Sequence, residues 1–339
     1  MARIRLPPGL RQSAGAGLRS VAHRLARRSQ AAPTEEPSGP RTAFVLSGGA
    51  RLGALQATIL RALYDRGVRP DLLVGTSAGA FNAAYLAFHP DDGAPEELVE
   101  IWRGLRFERI FAQSALRVAL AFTRRRESVL GVDQLRHLVD THIHPDAIEA
   151  AAVPLRLVAS DITAGEKRVF REGSARRAVL ASSAIPGVFP PVEIDGHLHV
   201  DGGLLANLDL ETAVAEGARE IYAIDVSQPP DTGRPRRFLD VIGRSVEVML
   251  NHRSELALRH VRRVATVHLL HPEPGDWREL AGASDARSLV ERATPVAERI
   301  VERTFAPSAE AAPREPAARR RVPKGSAAAP VPIRHDSLP

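Results

Sequence analysis

The stretch Leu72-Leu73-Val74-Gly75-Thr76-Ser77-Ala78-Gly79-Ala80 constrains this chain more than any other. An apolar, strand-like run enters Gly-x-Ser-x-Gly, and a small-residue helix leaves it. A serine in that position sits on a sharp strand-to-helix turn with its hydroxyl raised above the sheet edge. Gly75 and Gly79 remove side chains where the two backbones close on each other. The first amides of the following helix lack intrahelical partners and lie at its positive dipole end, which favours a developing negative charge. Serine is also a common helix cap, so the pentapeptide alone leaves capping open as the role of Ser77.

Around this turn, short strand-like runs alternate with helical ones. Strands are expected at 42–47, 72–75, 154–160, 166–171, 191–194, 197–200, 219–226 and 264–270. Asp195-Gly196 marks a two-residue hairpin between the fifth and sixth of these. Helices are expected at 53–66, 78–88, 94–105, 110–123, 132–140, 236–263 and 285–304. The alternation predicts an α/β layered fold with a largely parallel sheet.

A second glycine-bearing loop, Ser47-Gly48-Gly49-Ala50-Arg51-Leu52-Gly53, also follows a strand and opens a helix. The spacing of Gly48 and Gly53 matches a nucleotide phosphate loop, but Ala54 and Leu55 stand where lysine and Ser/Thr would follow. A dinucleotide fingerprint fails because Ala50 replaces its middle glycine. Consecutive amides in such a turn can converge on one point, and beside a nucleophile they would hold an oxyanion. A tight turn packing helix on sheet is the plainer alternative.

Downstream, His199-Val200-Asp201-Gly202-Gly203-Leu204 leaves a strand into two glycines, a turn that orients an aspartate. Strand alternation puts His197, His199 and Asp201 on one side, which keeps a catalytic histidine as a minor alternative. His142 and His144 are a loop pair, too few for a metal site.

These segments, in this order, resemble the patatin-like phospholipases. The resemblance rests on Leu46-Ser47-Gly48-Gly49-Ala50-Arg51 with Gly53, on Gly75-Thr76-Ser77-Ala78-Gly79, on Ala184 through Val192 (AIPGVFPPV), and on Asp201-Gly202-Gly203, and it covers roughly residues 42–228. It implies a three-layer α/β/α fold with a largely parallel central sheet and a Ser77–Asp201 dyad without catalytic histidine. It also implies hydrolysis of lipid acyl esters through an acyl-enzyme, with Gly48, Gly49, Ala50 and Arg51 as the oxyanion hole and no cofactor or metal. One departure stands out. Ala50 takes the place of the family's third glycine, Arg51 comes one residue early, and Leu52 holds the usual basic position. An alanine preserves the amide, but a turn that demands φ > 0 there would distort the hole. A catalytically weak or inactive binding protein of the same fold at a membrane surface is therefore the competing reading.

The 339 residues carry no cysteine, which excludes disulfides and thiolate chemistry. The net charge of +6 comes mostly from arginine, which suits an anionic membrane surface, nucleic acid or an acidic partner. No nucleic-acid motif is present and aromatics are only 4%, so no nucleic-acid partner is expected. No apolar run approaches the ~20 residues needed to span a bilayer, and a cytoplasmic location with peripheral membrane contact is expected. Residues 1–41 are expected to form a basic disordered arm and linker, 42–305 the hydrolase domain, and 306–339 a disordered Pro/Ala/Arg-rich tail. The apolar positions between Leu98 and Phe122 are expected in core or in an acyl-chain pocket, and Arg124-Arg125-Arg126 in a surface loop.

Overall fold

The computed structural model describes residues 41–106, 133–186, 188–228 and 253–306. Residues 1–40 of the basic arm, 307–339 of the C-terminal tail, the expected helix at 110–123 and the Arg124–Arg126 run lie outside these residues.

Eight strands form one mixed sheet. Five run parallel in the order β3 (Leu155–Asp161), β2 (Leu72–Thr76), β1 (Arg41–Leu46), β7 (Ala218–Ile224) and β8 (Thr266–Leu270). Three antiparallel strands complete the sheet beyond β3: β4 (Glu166–Phe170), β6 (His197–Asp201) and β5 (Val192–Ile194). The central strands are buried on both faces, and successive side chains serve opposite cores. On β1, Phe44 and Leu46 enter one core while Ala43 and Val45 enter the other. Leu73 is set against Leu72 and Val74 in the same way on β2, and Tyr222 and Ile224 against Ile221 and Ala223 on β7.

The first core is closed by α1 (Gly53–Asp65), α2 (Ala78–Phe88), α3 (Ala94–Gly104), α4 (Asp133–His142), α5 (Ala175–Ser182) and the long final helix Ala286–Phe305. The second lies under the helix Leu210–Ala215 and the helical residues 253–261. Helices thus flank both sheet faces in three layers. Leu98, Val99 and Trp102, expected in core or in an acyl pocket, belong to the first core.

The strands around β3 place the site. β4 runs along one edge of β3 from Leu157 to Asp161. The other edge is divided: β2 occupies it from Leu155 to Val158, and β6 from Ala159 to Asp161. β2 therefore ends at Thr76 opposite Val158, and β6, running the other way, ends at Asp201 opposite Ala159. The two strands meet end to end. Ser77, the first residue beyond β2, is thereby set against Asp201, the last residue of β6.

Candidate active site

Ser77 follows β2 directly and adopts φ 55°, ψ −121°, a left-handed backbone that L-residues avoid. Its neighbours make this turn possible. A Cβ on Gly75 would overlap the Gly79 carbonyl, and one on Gly79 would overlap Leu46 O and stand 2.6 Å from Ser47 O. The Ser77 amide donates to Ser182 Oγ at 2.8 Å, and Ser182 in turn donates to the Val158 carbonyl on β3. Ser77 stands at the N-cap position of α2 without a side-chain capping bond. Its hydroxyl instead donates to Asp201 Oδ2 at 2.6 Å.

Asp201 is held from several sides. Its Oδ1 accepts the Gly203 amide at 2.8 Å. Its own amide donates to Ala184 O at 2.9 Å, and its carbonyl accepts the Ser160 hydroxyl at 3.0 Å. A Cβ on Gly202 would overlap the Val158 carbonyl, so only glycine lets the chain turn away against β3. Ser77 and Asp201 are 7% and 8% exposed. Burial pushes the Asp201 carboxyl up to about 6, against the opposing hydrogen bonds from Ser77 and Gly203.

The glycine loop leaves β1 beside them, where the sheet order reverses between β1 and β7, a position at which α/β sheets open a crevice. Ser47 anchors it: its amide donates to Ile224 O at 3.1 Å, its Oγ accepts the Val226 amide at 3.0 Å, and its carbonyl accepts Gln56 Nε2 at 2.7 Å. Gly48 packs on Ser77, since a Cβ there would stand 3.2 Å from Ser77 Cβ. Its amide donates to the Asn207 carbonyl at 3.2 Å, which removes Gly48 from the expected oxyanion donors. Among the described residues, the amides of Gly49, Ala50 and Arg51 donate to no protein acceptor. Ala50 does take positive φ, 48°, the conformation for which its alanine is a departure. Gly53 serves packing instead: a Cβ there would run into the Trp102 indole, whose Nε1 donates to Asn82 Oδ1 at 2.7 Å.

The histidines of β6 are engaged by other partners. His197 Nδ1 lies 2.7 Å from Asp161 Oδ2, and buried His199 packs on Phe170 with Nε2 3.9 Å from the same oxygen. His142 packs edge-on against Phe81 and Tyr85. No cluster with metal-ligand potential occurs among the described residues, and none of their helices is long and apolar enough to cross a membrane.

The patatin-like phospholipase family model matches residues 44–214, half of the chain. The chain belongs to that family. Its patatin-like region is 33% identical over 198 residues to patatin-like phospholipase domain-containing protein 7 of Mus musculus. It is 29% identical over 212 residues to lysophospholipase NTE1 of Mycosarcoma maydis, and 31% over 190 residues to an uncharacterized NTE family protein of Mycobacterium bovis. These matches take in 58%, 60% and 56% of this chain but only 14%, 10% and 50% of those proteins. The patatin-like match contains Ser77, Asp201 and the glycine loop. Ser182 and Asn207, which brace Ser77 and that loop, carried no signal in the sequence, because their contacts arise only when β3, α5 and the post-β6 turn are assembled.

Proposed function

We propose that the chain is a serine acyl hydrolase acting on lipid acyl esters, of phospholipase A or lysophospholipase type, with a Ser77–Asp201 dyad. The 2.6 Å contact between Ser77 Oγ and Asp201 Oδ2 carries this reading. Asp201 accepts the Ser77 proton as Oγ attacks the ester carbonyl carbon. The free amides of Gly49, Ala50 and Arg51 receive the resulting oxyanion. The tetrahedral adduct collapses, and the departing alkoxide takes the proton from Asp201 and leaves as the alcohol. Water then adds to the acyl carbon and gives a proton to Asp201. The C–Oγ bond breaks, Ser77 recovers the proton, and the fatty acid leaves.

A carboxylate is a weak base for a hydroxyl. Burial compensates in part: a carboxyl raised to about 6 is more basic than an ordinary one and still ionised at neutral pH. The lysophospholipase name of one relative and the family membership favour lipid esters over other acyl donors. Contact with a lipid surface, from which such substrates are drawn, belongs to the same reading.

The test is hydrolysis of a lipid panel and a short-chain nitrophenyl ester by wild type and Ser77→Ala, with fluorophosphonate labelling read by intact mass. Labelling at Ser77 and loss of turnover in the variant are expected. A fully active Ser77→Ala overturns the dyad, and an unlabelled wild type favours a binding protein of the same fold.

A further inference from the structure

The geometry points to Asn207 as the residue that holds the hydrolytic water for the deacylation half-reaction. This rests on the acyl-enzyme reading above and adds a third functional side chain to it.

Asn207 follows the short helix Gly203–Ala206. Its carbonyl takes the Gly48 amide, and its Nδ2 donates to Ser227 Oγ at 2.7 Å. That bond turns the amide oxygen the other way. A Cβ built on Gly48 would lie 2.6 Å from Asn207 Oδ1 and 3.2 Å from Ser77 Cβ. One built on Gly203 would lie 3.0 Å from both Asn207 Oδ1 and Asp201 Oδ1. Oδ1 therefore lies close to both Ser77 and Asp201, in room that the two glycines leave by lacking a Cβ. Among the described residues it accepts no hydrogen bond, and Asn207 as a whole is only 9% exposed. Asn82 behaves differently: its amide is engaged by Gly53 O, Gln56 and Trp102.

Deacylation supplies the missing donor. Once Ser77 Oγ is esterified, Asp201 Oδ2 has lost its hydroxyl partner and can take a water. That water has two hydrogens. One passes to Asp201 as its oxygen bonds the acyl carbon. The other stays on the new carboxyl group and needs an acceptor that fixes the lone pair on the carbonyl. A carboxamide oxygen accepts without taking the proton. The acylation step uses no water and makes no such demand.

The experiment separates the two half-reactions with a nitrophenyl ester in stopped flow. For Asn207→Ala we expect the steady-state rate to fall roughly tenfold to a hundredfold further than the burst rate and fluorophosphonate labelling do, with an acyl-Ser77 adduct accumulating in the mass spectrum. Methanol has a single hydroxyl hydrogen and no need of the second acceptor, so the ratio of methanolysis to hydrolysis should rise in the variant. Asn207→Asp keeps an acceptor in place and should restore much of the hydrolysis, with the acid limb of its pH profile displaced upward by the added carboxylate. If burst and steady state fall together, or the methanol ratio is unchanged in both variants, Asn207 is only a support for the glycine loop and the inference fails. Absence of a burst and of labelling in the wild type would instead remove the dyad reading itself.

Discussion

Ser182 Oγ accepts the amide of Ser77 at 2.8 Å while donating to β3, so one small hydroxyl stands between the strained Ser77 backbone and the sheet. Ser182→Ala strands a buried N–H and a buried carbonyl together. Each orphaned group costs about 1–3 kcal/mol. Urea unfolding should show a midpoint lowered accordingly, and kcat should fall more than KM rises, because the backbone of Ser77, the proposed nucleophile, is no longer held. An unchanged midpoint would mean that water replaces the hydroxyl.

Asp201→Asn should separate stability from turnover. The folded carboxyl is raised to about 6 from 3.8 by burial. Between those values the folded protein keeps a proton that the unfolded chain has released. Stability from this group is therefore greatest at or below pH 3.8, declines as pH rises towards about 6, and stays low above it, an upper bound of about 3 kcal/mol. The amide carries no such charge. At pH 7 the variant is expected to be inactive yet at least as stable as wild type, and the wild-type-minus-variant stability difference should change across that window in denaturant titrations.

The same carboxyl sets the pH–rate profile. The proposed mechanism needs Asp201 ionised, so kcat/KM should climb with pH through about 6 and level off above it. A limb near the usual carboxylate range, measured on a neutral soluble ester, would show that burial does not govern the base.

Ala50→Gly should be benign or favourable. Ala50 sits at φ 48°, where an L-residue is strained by roughly 1–2 kcal/mol and glycine is not. Relief of that strain is partly offset by the greater freedom of glycine in the unfolded chain. A melting temperature equal to or above wild type, with turnover retained or raised, is expected. A clear loss would indicate that the Ala50 methyl contributes packing that outweighs the strain.

Gly79→Ala and Gly202→Ala are expected to fail outright. In both the new methyl meets backbone carbonyls, of Leu46 and Ser47 in one and Val158 in the other, and strand ends cannot shift as a flexible side chain can. Poor expression, or loss of both cooperative melting and fluorophosphonate labelling, is the outcome to look for.

The strand-turn-helix around Ser77 was legible because its requirements are local: two glycines and an apolar run satisfy it within nine residues. The sheet strands were legible from their apolar runs, with ends shifted by a residue or two. Ser174, whose side chain accepts the Arg177 amide, begins an eight-residue helix too short and arginine-rich to show a periodic apolar face. The helix at Pro274–Ala281 had a readable start, a proline beside a Glu273–Asp276 capping box, but its short length hid it. Of the expected helix 236–263, residues 253–261 are helical and 236–252 lie outside the described residues. Positive φ at Ala50 could be posed only as a condition, because it depends on how the loop turns against β7. Gly48 resembled its neighbours as a donor until the chain after β6 brought the Asn207 carbonyl to it.

The divided edge of β3 has a further consequence. Ser77 and Asp201 lie 124 positions apart in the chain, yet their spacing is gauged by one peptide unit, the step from Val158 to Ala159. Loops elsewhere in the intervening chain can lengthen, shorten or acquire new binding features without moving the two side chains apart. One residue inserted at that step would separate the pair by about 3.3 Å, more than the length of the hydrogen bond that joins them.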